Sequence, residues 1–224
     1  MGIKRIRDYG IIIGRMETGK NNLITDVEGV LVGHTTIKYN SVNTGVTTIL
    51  PHPGNIYKKK VVAAAHVING FGKTAGTMQI EELGTIETPI VLTNTLSVGI
   101  AYDALVEYML EQNEDIGVAT GTVNPVVCEC NDGYLNDIRG KHVKREHVFQ
   151  SIKNAGIVFE EGSVGAGTGM SCYGLKGGIG SSSRILTLDG KEYTLGAMVL
   201  SNFGVKENLM IDGIKAGRKI WNII

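Results

Sequence analysis

Residues 123–138 read VNPVVCECNDGYLNDI. The stretch opens as an apolar, β-branched run and turns polar at Glu129, after which Asn131, Asp132, Asn136 and Asp137 follow in quick succession. Gly133 sits in the middle of the polar part, where a turn commonly needs a positive φ. A strand would carry this segment to the rim of a core, and the turn would set a dense group of hydrogen-bonding side chains there. Rigid scaffolds usually present a site on a loop in this way. The same residues also suit a plain Asx-rich surface turn. Choosing between the two requires the rest of the chain.

Composition narrows the field. The chain has 224 residues, of which 42% are hydrophobic and 20% charged, so it is globular and long enough for one large domain with a real core. Its 22 basic residues cancel its 22 acidic ones, so it shows no electrostatic footprint for nucleic acid or an anionic membrane. No run approaches the length of a membrane span, and the N-terminus lacks the apolar core of a signal peptide. Met1-Gly2 is not a myristoylation signal either, because Ile6 stands where Ser or Thr is required. Glycine is the outlier at 31 residues, against roughly 16 for an average chain of this size. With no collagen period, that excess points to many tight turns and close backbone approaches. Cys128, Cys130 and Cys172 are an odd count in a chain too long for a disulfide scaffold, and they lack zinc-site spacing. They are expected to be reduced core thiols in a cytoplasmic protein.

Moving outward from the central stretch, 98–113 shows apolar residues at Val98, Ala101, Tyr102, Leu105 and Met109, the spacing of one buried helical face. Ser97 is placed to cap that helix, and residues 89–93 form the strand before it. A short helix over 78–82 ends at Gly84. Residues 61–68 form a continuous small apolar run, which predicts a strand buried on both faces. Gly72-Lys73-Thr74 looks like part of a phosphate loop, but the first glycine of that motif would fall at Val67, which rules the loop out. Residues 27–33 predict a strand followed by a turn, and 46–50 another strand.

Downstream, 141–155 predicts a second amphipathic helix carrying Val148 and Ile152, stopped by Gly156. His142 and His147 lie five apart, and His34, His52 and His66 are scattered singly, so no histidine pair has ligand spacing. Neither a metal nor a cofactor is expected. The glycine-rich segment 162–183 fails the dinucleotide pattern, because Met170 replaces its third glycine. It is expected to form a wall where backbones or a ligand approach closely. Residues 184–188 and 192–200 alternate around Asp189-Gly190, a type I′ hairpin signal. The second strand turns polar at Ser201-Asn202. The chain stops at the apolar 220–224, which reads as a segment covered by something that follows it.

Six segments together resemble the L-aminopeptidase/D-esterase family, which includes the β-aminopeptidases. They are ITDVEGVLVGH at 24–34, NGFGKTAG at 69–76, LTNTLSVG at 92–99, ECNDGYLNDIRG at 129–140, GAGTGMSCYGLKGGIG at 165–180 and SNFG at 201–204. They occur in one order and span nearly the whole chain. The resemblance implies an α/β fold, an αββα sandwich with two stacked β-sheets between helical layers. It also implies a self-processing N-terminal-nucleophile hydrolase. Residues 1–224 would then be one domain, the larger α-subunit of an autocleaved precursor, completed by a β-subunit that carries the nucleophilic serine. Ring-like tetramers of αβ pairs are expected from the same resemblance.

An N-terminal serine carries its own α-amine as general base, so such a site needs an oxyanion donor and a substrate pocket rather than a separate histidine. By resemblance, Asn202 is the oxyanion donor and Glu129 binds the substrate's free α- or β-ammonium. Where family members have a tyrosine two residues past that glutamate, this chain has Asn131, a second donor of shorter reach. Tyr134 stands three residues further on, as a substrate-binding candidate. The implied substrate is a short peptide or an amino-acid amide or ester. Two other readings are an ornithine acetyltransferase-like acyl transferase of the same fold, which would use an N-terminal threonine, and a non-catalytic binding protein.

Overall fold

The structure, a computed structural model, describes residues 4–220. The readings of Met1-Gly2 and of the apolar end at 221–224 lie outside the described residues.

The scaffold is a four-stranded sheet in the order β1-β2-β5-β6, built from β1 (Leu31–Tyr39), β2 (Val42–Leu50), β5 (Ile90–Asn94) and β6 (Val126–Cys130). β1, β2 and β5 run antiparallel, while β5 and β6 run parallel. The parallel pair needs a long crossover, which α2 (Val98–Gln112) supplies. Between β2 and β5 lie β3 (Val61–Val62), α1 (Thr77–Leu83) and β4 (Thr85–Ile86). Beyond β6 come α3 (Arg145–Lys153), the two-residue strands β7 (Ser171–Cys172) and β8 (Leu175–Lys176), and a long hairpin of β9 (Gly178–Leu188) and β10 (Lys191–Ser201).

Strand alternation sorts the core into layers. Val46, Val91 and Val127 face α2 and α3, where they pack on Ala101, Leu105, Val148 and Ile152. Val32, Ile49 and Leu92 face the other way and pack on Ala166, Ile179, Met198 and Leu200. The helices, the main sheet and the hairpin are therefore stacked, and the fold is a mixed α/β arrangement with stacked sheets. Fully burying an aliphatic side chain contributes about 1.5–3 kcal/mol, so these two facing clusters provide much of the cohesion.

The hairpin turn matches expectation, with Asp189 at φ 50° and Gly190 at φ 72°, both left-handed as a type I′ turn requires. Helix α1 ends at a left-handed Gly84, also as expected. Several other expectations change. At 27–33 the turn precedes the strand, since Val30 N–H closes back on Val27 O and β1 starts at Leu31. Helix α3 begins only at Arg145, because Lys141 is left-handed at φ 50° and Lys144 is extended, so the backbone before Arg145 is not helical. Ser97 makes no capping bond; Asn94 Oδ1 accepts the Leu96 N–H instead.

The largest correction concerns 61–68. Only Val61 and Val62 are paired, to Ile86 and Thr85, and Val62 and Ile68 are 87% and 95% exposed. Ala63 N–H still reaches Gly84 O, and Val61, Ala63 and Ala65 pack on the core, but no strand runs alongside beyond Val62 and the run is covered on one face only. The glycine-rich segment does form a close-packed wall. A Cβ on Gly178 would lie 2.2 Å from Gly162 O, and one on Gly167 would lie 2.6 Å from the same oxygen. Side chains larger than hydrogen are thus excluded where three backbone segments meet.

Candidate active site

β5 and β6 run side by side, with Thr93 opposite Glu129 and Asn94 opposite Cys130. Both strands therefore turn from apolar to polar at the same edge of the sheet. In open α/β sheets this carboxyl end of parallel strands is where ligands collect. The loop 69–75 reaches the same edge from the free side of β6, because Ala75 and Val127 exchange both backbone hydrogen bonds, at 2.9 and 3.2 Å.

These three segments converge on Glu129. One carboxylate oxygen, Oε1, accepts the Lys73 backbone N–H at 2.9 Å, and the other, Oε2, accepts the Thr95 hydroxyl. Each oxygen thus has one protein donor and keeps lone-pair capacity for another. The half-buried carboxylate lines a cleft of about 210 Å³ together with Phe71, Thr95 and Cys130. The Lys73 ammonium is folded back, 2.8 Å from Phe71 O and 4.2 Å from the centre of the Phe71 ring. Asn131 and Asn202 complete the lining.

Asn202 follows the last residue of β10 and donates its side-chain amide to Asn131 O at 3.1 Å. Asn131 accepts the Gly133 N–H on its own Oδ1 at 2.8 Å, an Asx turn that orients its amide. Glu129, Asn131 and Asn202, widely separated in the chain or set on a turn, therefore share one cleft. Tyr134 does not join them: it is 85% exposed on the turn and does not line this cleft.

The turn is anchored from behind by Asp132. Its carboxylate accepts the Thr44 hydroxyl at 2.6 Å and the Asn136 amide at 3.0 Å, and Asn94 in turn donates to Thr44 at 2.9 Å. Burial pushes the Asp132 carboxyl above the usual carboxylate range, and the hydrogen bonds from Thr44 and Asn136 oppose that rise. A Cβ on Gly169 would lie 3.0 Å from the Asp132 side chain and 2.1 Å from Asn43 O, so the glycine wall also abuts this anchor.

The cysteines are free thiols. Burial pushes the Cys130 thiol up to about 11, helped by the neighbouring Glu129 charge. Burial also raises Cys128. Cys130 donates to Leu200 O at 3.5 Å and Cys172 to Phe203 O at 3.3 Å, bracketing the segment that carries Asn202. At neutral pH Cys130 is a protonated thiol and a poor nucleophile. Among the described residues no group of His, Cys, Asp and Glu is placed to hold a metal ion, and no helix is long and apolar enough to cross a membrane. The cleft is therefore suited to binding a cation at Glu129 and to offering amide donors beside it.

Phe71, Gly72, Lys73 and Thr95 went unassigned as site residues from sequence. One available signal was that β5 ends in Thr93-Asn94-Thr95 just as β6 ends in Glu129, two polar tips on neighbouring strands. The Lys73 contact left no such signal, because it uses a backbone amide.

Comparison with known proteins places the chain among peptidases. Residues 22–223 match peptidase family S58. The chain is 39% identical to the beta-peptidyl aminopeptidase BapA of Sphingosinicella microcystinivorans, over 96% of this chain and 56% of that protein. Among solved structures, a protein from Pyrococcus horikoshii superposes with a TM-score of 0.97 at 58% identity, covering 99% of this chain and 65% of that one. The L-aminopeptidase D-Ala-esterase/amidase of Ochrobactrum anthropi, described as a variant of the Ntn hydrolase fold, superposes with a TM-score of 0.89 at 37% identity, covering 97% of this chain and 63% of that one. The chain thus spans a little over half the length of the curated relative.

Proposed function

Because the chain belongs to peptidase family S58, we propose that it is the larger, N-terminal part of a self-processing aminopeptidase that removes single residues from short peptides or amino-acid amides. In this reading the nucleophile is an N-terminal serine on a β-subunit cut from the same precursor. Its own α-amine serves as general base, Asn202 donates to the developing oxyanion, and Glu129 binds the terminal ammonium of the substrate. The relatives named as aminopeptidases support the reaction class. The relatives' greater length supports a further segment. The hairpin leaves room for it, since β10 is paired on one side only among the described residues and Tyr193, Leu195 and Val199 stand exposed on its outer face.

The observation that carries the proposal is the Glu129 carboxylate in a small cleft shared with Asn202. A carboxylate held half-buried there forms a charge-assisted hydrogen bond to an ammonium, worth about 1.5–3 kcal/mol. Glu129→Gln in the complete, processed enzyme should therefore raise KM for free-amine substrates by about one to two decades. N-acetylated substrates should be poor for both proteins, because they present no cation. Equal rates on an amino-acid p-nitroanilide and its N-acetyl form would overturn the reading.

A further inference from the structure

We propose that Thr95 is a positioning residue for substrate selection: its hydroxyl holds the Glu129 carboxylate in the orientation that receives the substrate ammonium. The inference rests on the reading of Glu129 given above and adds a residue to it. Glu129 sits near the end of a strand, on a side chain with three rotatable bonds, and its cleft is open to water. An unrestrained carboxylate there would lose rotamer freedom each time it bound a cation. Two donors remove that freedom in advance. The Thr95 hydroxyl takes Oε2, and the Lys73 amide takes Oε1.

Thr95 is itself held. It opens the turn Thr95–Ser97 directly after β5, and its neighbour Asn94 is 1% exposed and bonded through Thr44 to Asp132. Consecutive residues at the tip of β5 therefore grip the segment 129–132 on two sides, Thr95 at Glu129 in the cleft and Asn94 through Thr44 at Asp132 in the core. The Asn94 side is buried and cohesive. The Thr95 side is open to the ligand, so a hydroxyl there acts on binding more than on folding.

A hydroxyl that only orients the carboxylate has a specific kinetic signature. In the processed enzyme, Thr95→Val keeps the shape and removes the donor. We expect KM for a free-amine amino-acid p-nitroanilide to rise about tenfold, with kcat changed less than about twofold, in line with the loss of a hydrogen bond to a charged group. Thr95→Ser should restore KM to within about twofold, and Thr95→Ala stands in should valine block processing. Placed on Glu129→Gln, Thr95→Val should add nothing further, because the group it orients no longer carries the charge. If Glu129→Gln raises KM while Thr95→Val and Thr95→Ala leave it unchanged, the positioning role is wrong and the ammonium-binding role of Glu129 stands. If Thr95→Val lowers kcat with KM unchanged, or if its effect is undiminished on Glu129→Gln, Thr95 acts elsewhere and the inference falls. If Glu129→Gln itself leaves KM unchanged, both fall together.

Discussion

At the scale of single residues, the cleft is made from groups whose freedom has already been removed. Asn202 is the clearest case. Its amide nitrogen rests on Asn131 O at 3.1 Å, which leaves a second N–H for a ligand and fixes the plane of the group. In the proposed reaction that N–H meets the oxyanion, and removing one such donor costs about 10²–10³ in kcat. Asn202→Ala should show that loss in the complete enzyme with Tm nearly unchanged, since the bond to Asn131 contributes about 1 kcal/mol. Steady-state kinetics beside a melting curve separate the two effects, with processing checked on a gel first. A kcat near normal would reduce Asn202 to a tie between β10 and the turn after β6. The contrast with Cys130 is instructive. It lines the same cleft, but burial holds its thiol near 11, so proximity to a site does not by itself make a nucleophile.

At the scale of elements, the site depends on the β5-α2-β6 unit. The helix lets two strands run parallel, and parallel strands bring two polar tips, Thr95 and Glu129, to one edge. Helix α2 is held to the sheet by Ala101, Ala104 and Leu105, all fully buried against Val91 and Val127. Leu105→Ala leaves a cavity in the middle of that contact and should cost about 2–5 kcal/mol, read as a marked fall in Tm. Its kinetic effect on the surviving folded enzyme should be small, because the cluster that holds Leu105 includes none of the residues lining the cleft. A loss of activity with Tm intact would mean that α2 does more than carry the crossover. The hairpin of β9 and β10 teaches a different lesson: two residues, Asp189 and Gly190, set its register, and it can be read from sequence because the turn chemistry is local.

At the scale of the whole molecule, the cleft is lined by neither a serine nor a histidine, and among the described residues β10 is paired on one side only and has an apolar outer face. Both features agree with a relative that is nearly twice as long. If the proposed division of roles holds, residues 1–224 purified alone should not hydrolyse amino-acid p-nitroanilides, and co-production with the proposed β-subunit should give activity. Turnover by the isolated chain, with mass spectrometry finding no second chain, would reassign every catalytic role proposed here. N-terminal sequencing of the proposed β-subunit should find serine as its first residue.

What the sequence determined by itself was whatever local chemistry dictates. Asp189-Gly190 specified the hairpin, the 3–4 spacing of Ala101, Leu105 and Met109 specified α2, and Gly84 specified the end of α1. The family resemblance carried by the motifs at 129–140 and 201–204, rather than local chemistry, singled out Glu129, Asn131 and Asn202, and the folded chain places all three in one cleft. Tertiary structure alone decided what depends on partners distant in the chain. The run at 61–68 has the composition of a buried strand, yet only Val61, Ala63 and Ala65 pack on the core, and the other face is exposed because no neighbouring strand extends along it beyond Val62. Ser97 has the right chemistry for a cap, but it falls inside the turn Thr95–Ser97 that leads into α2, and the capping bond is made at the start of that turn by Asn94 to the Leu96 N–H. Thr95 and the Lys73 amide reach Glu129 only because strand pairing brings chain segments 34 and 56 residues away to the same carboxylate. Hydrogen bonds over such distances depend on topology, and topology is a property of the packed chain.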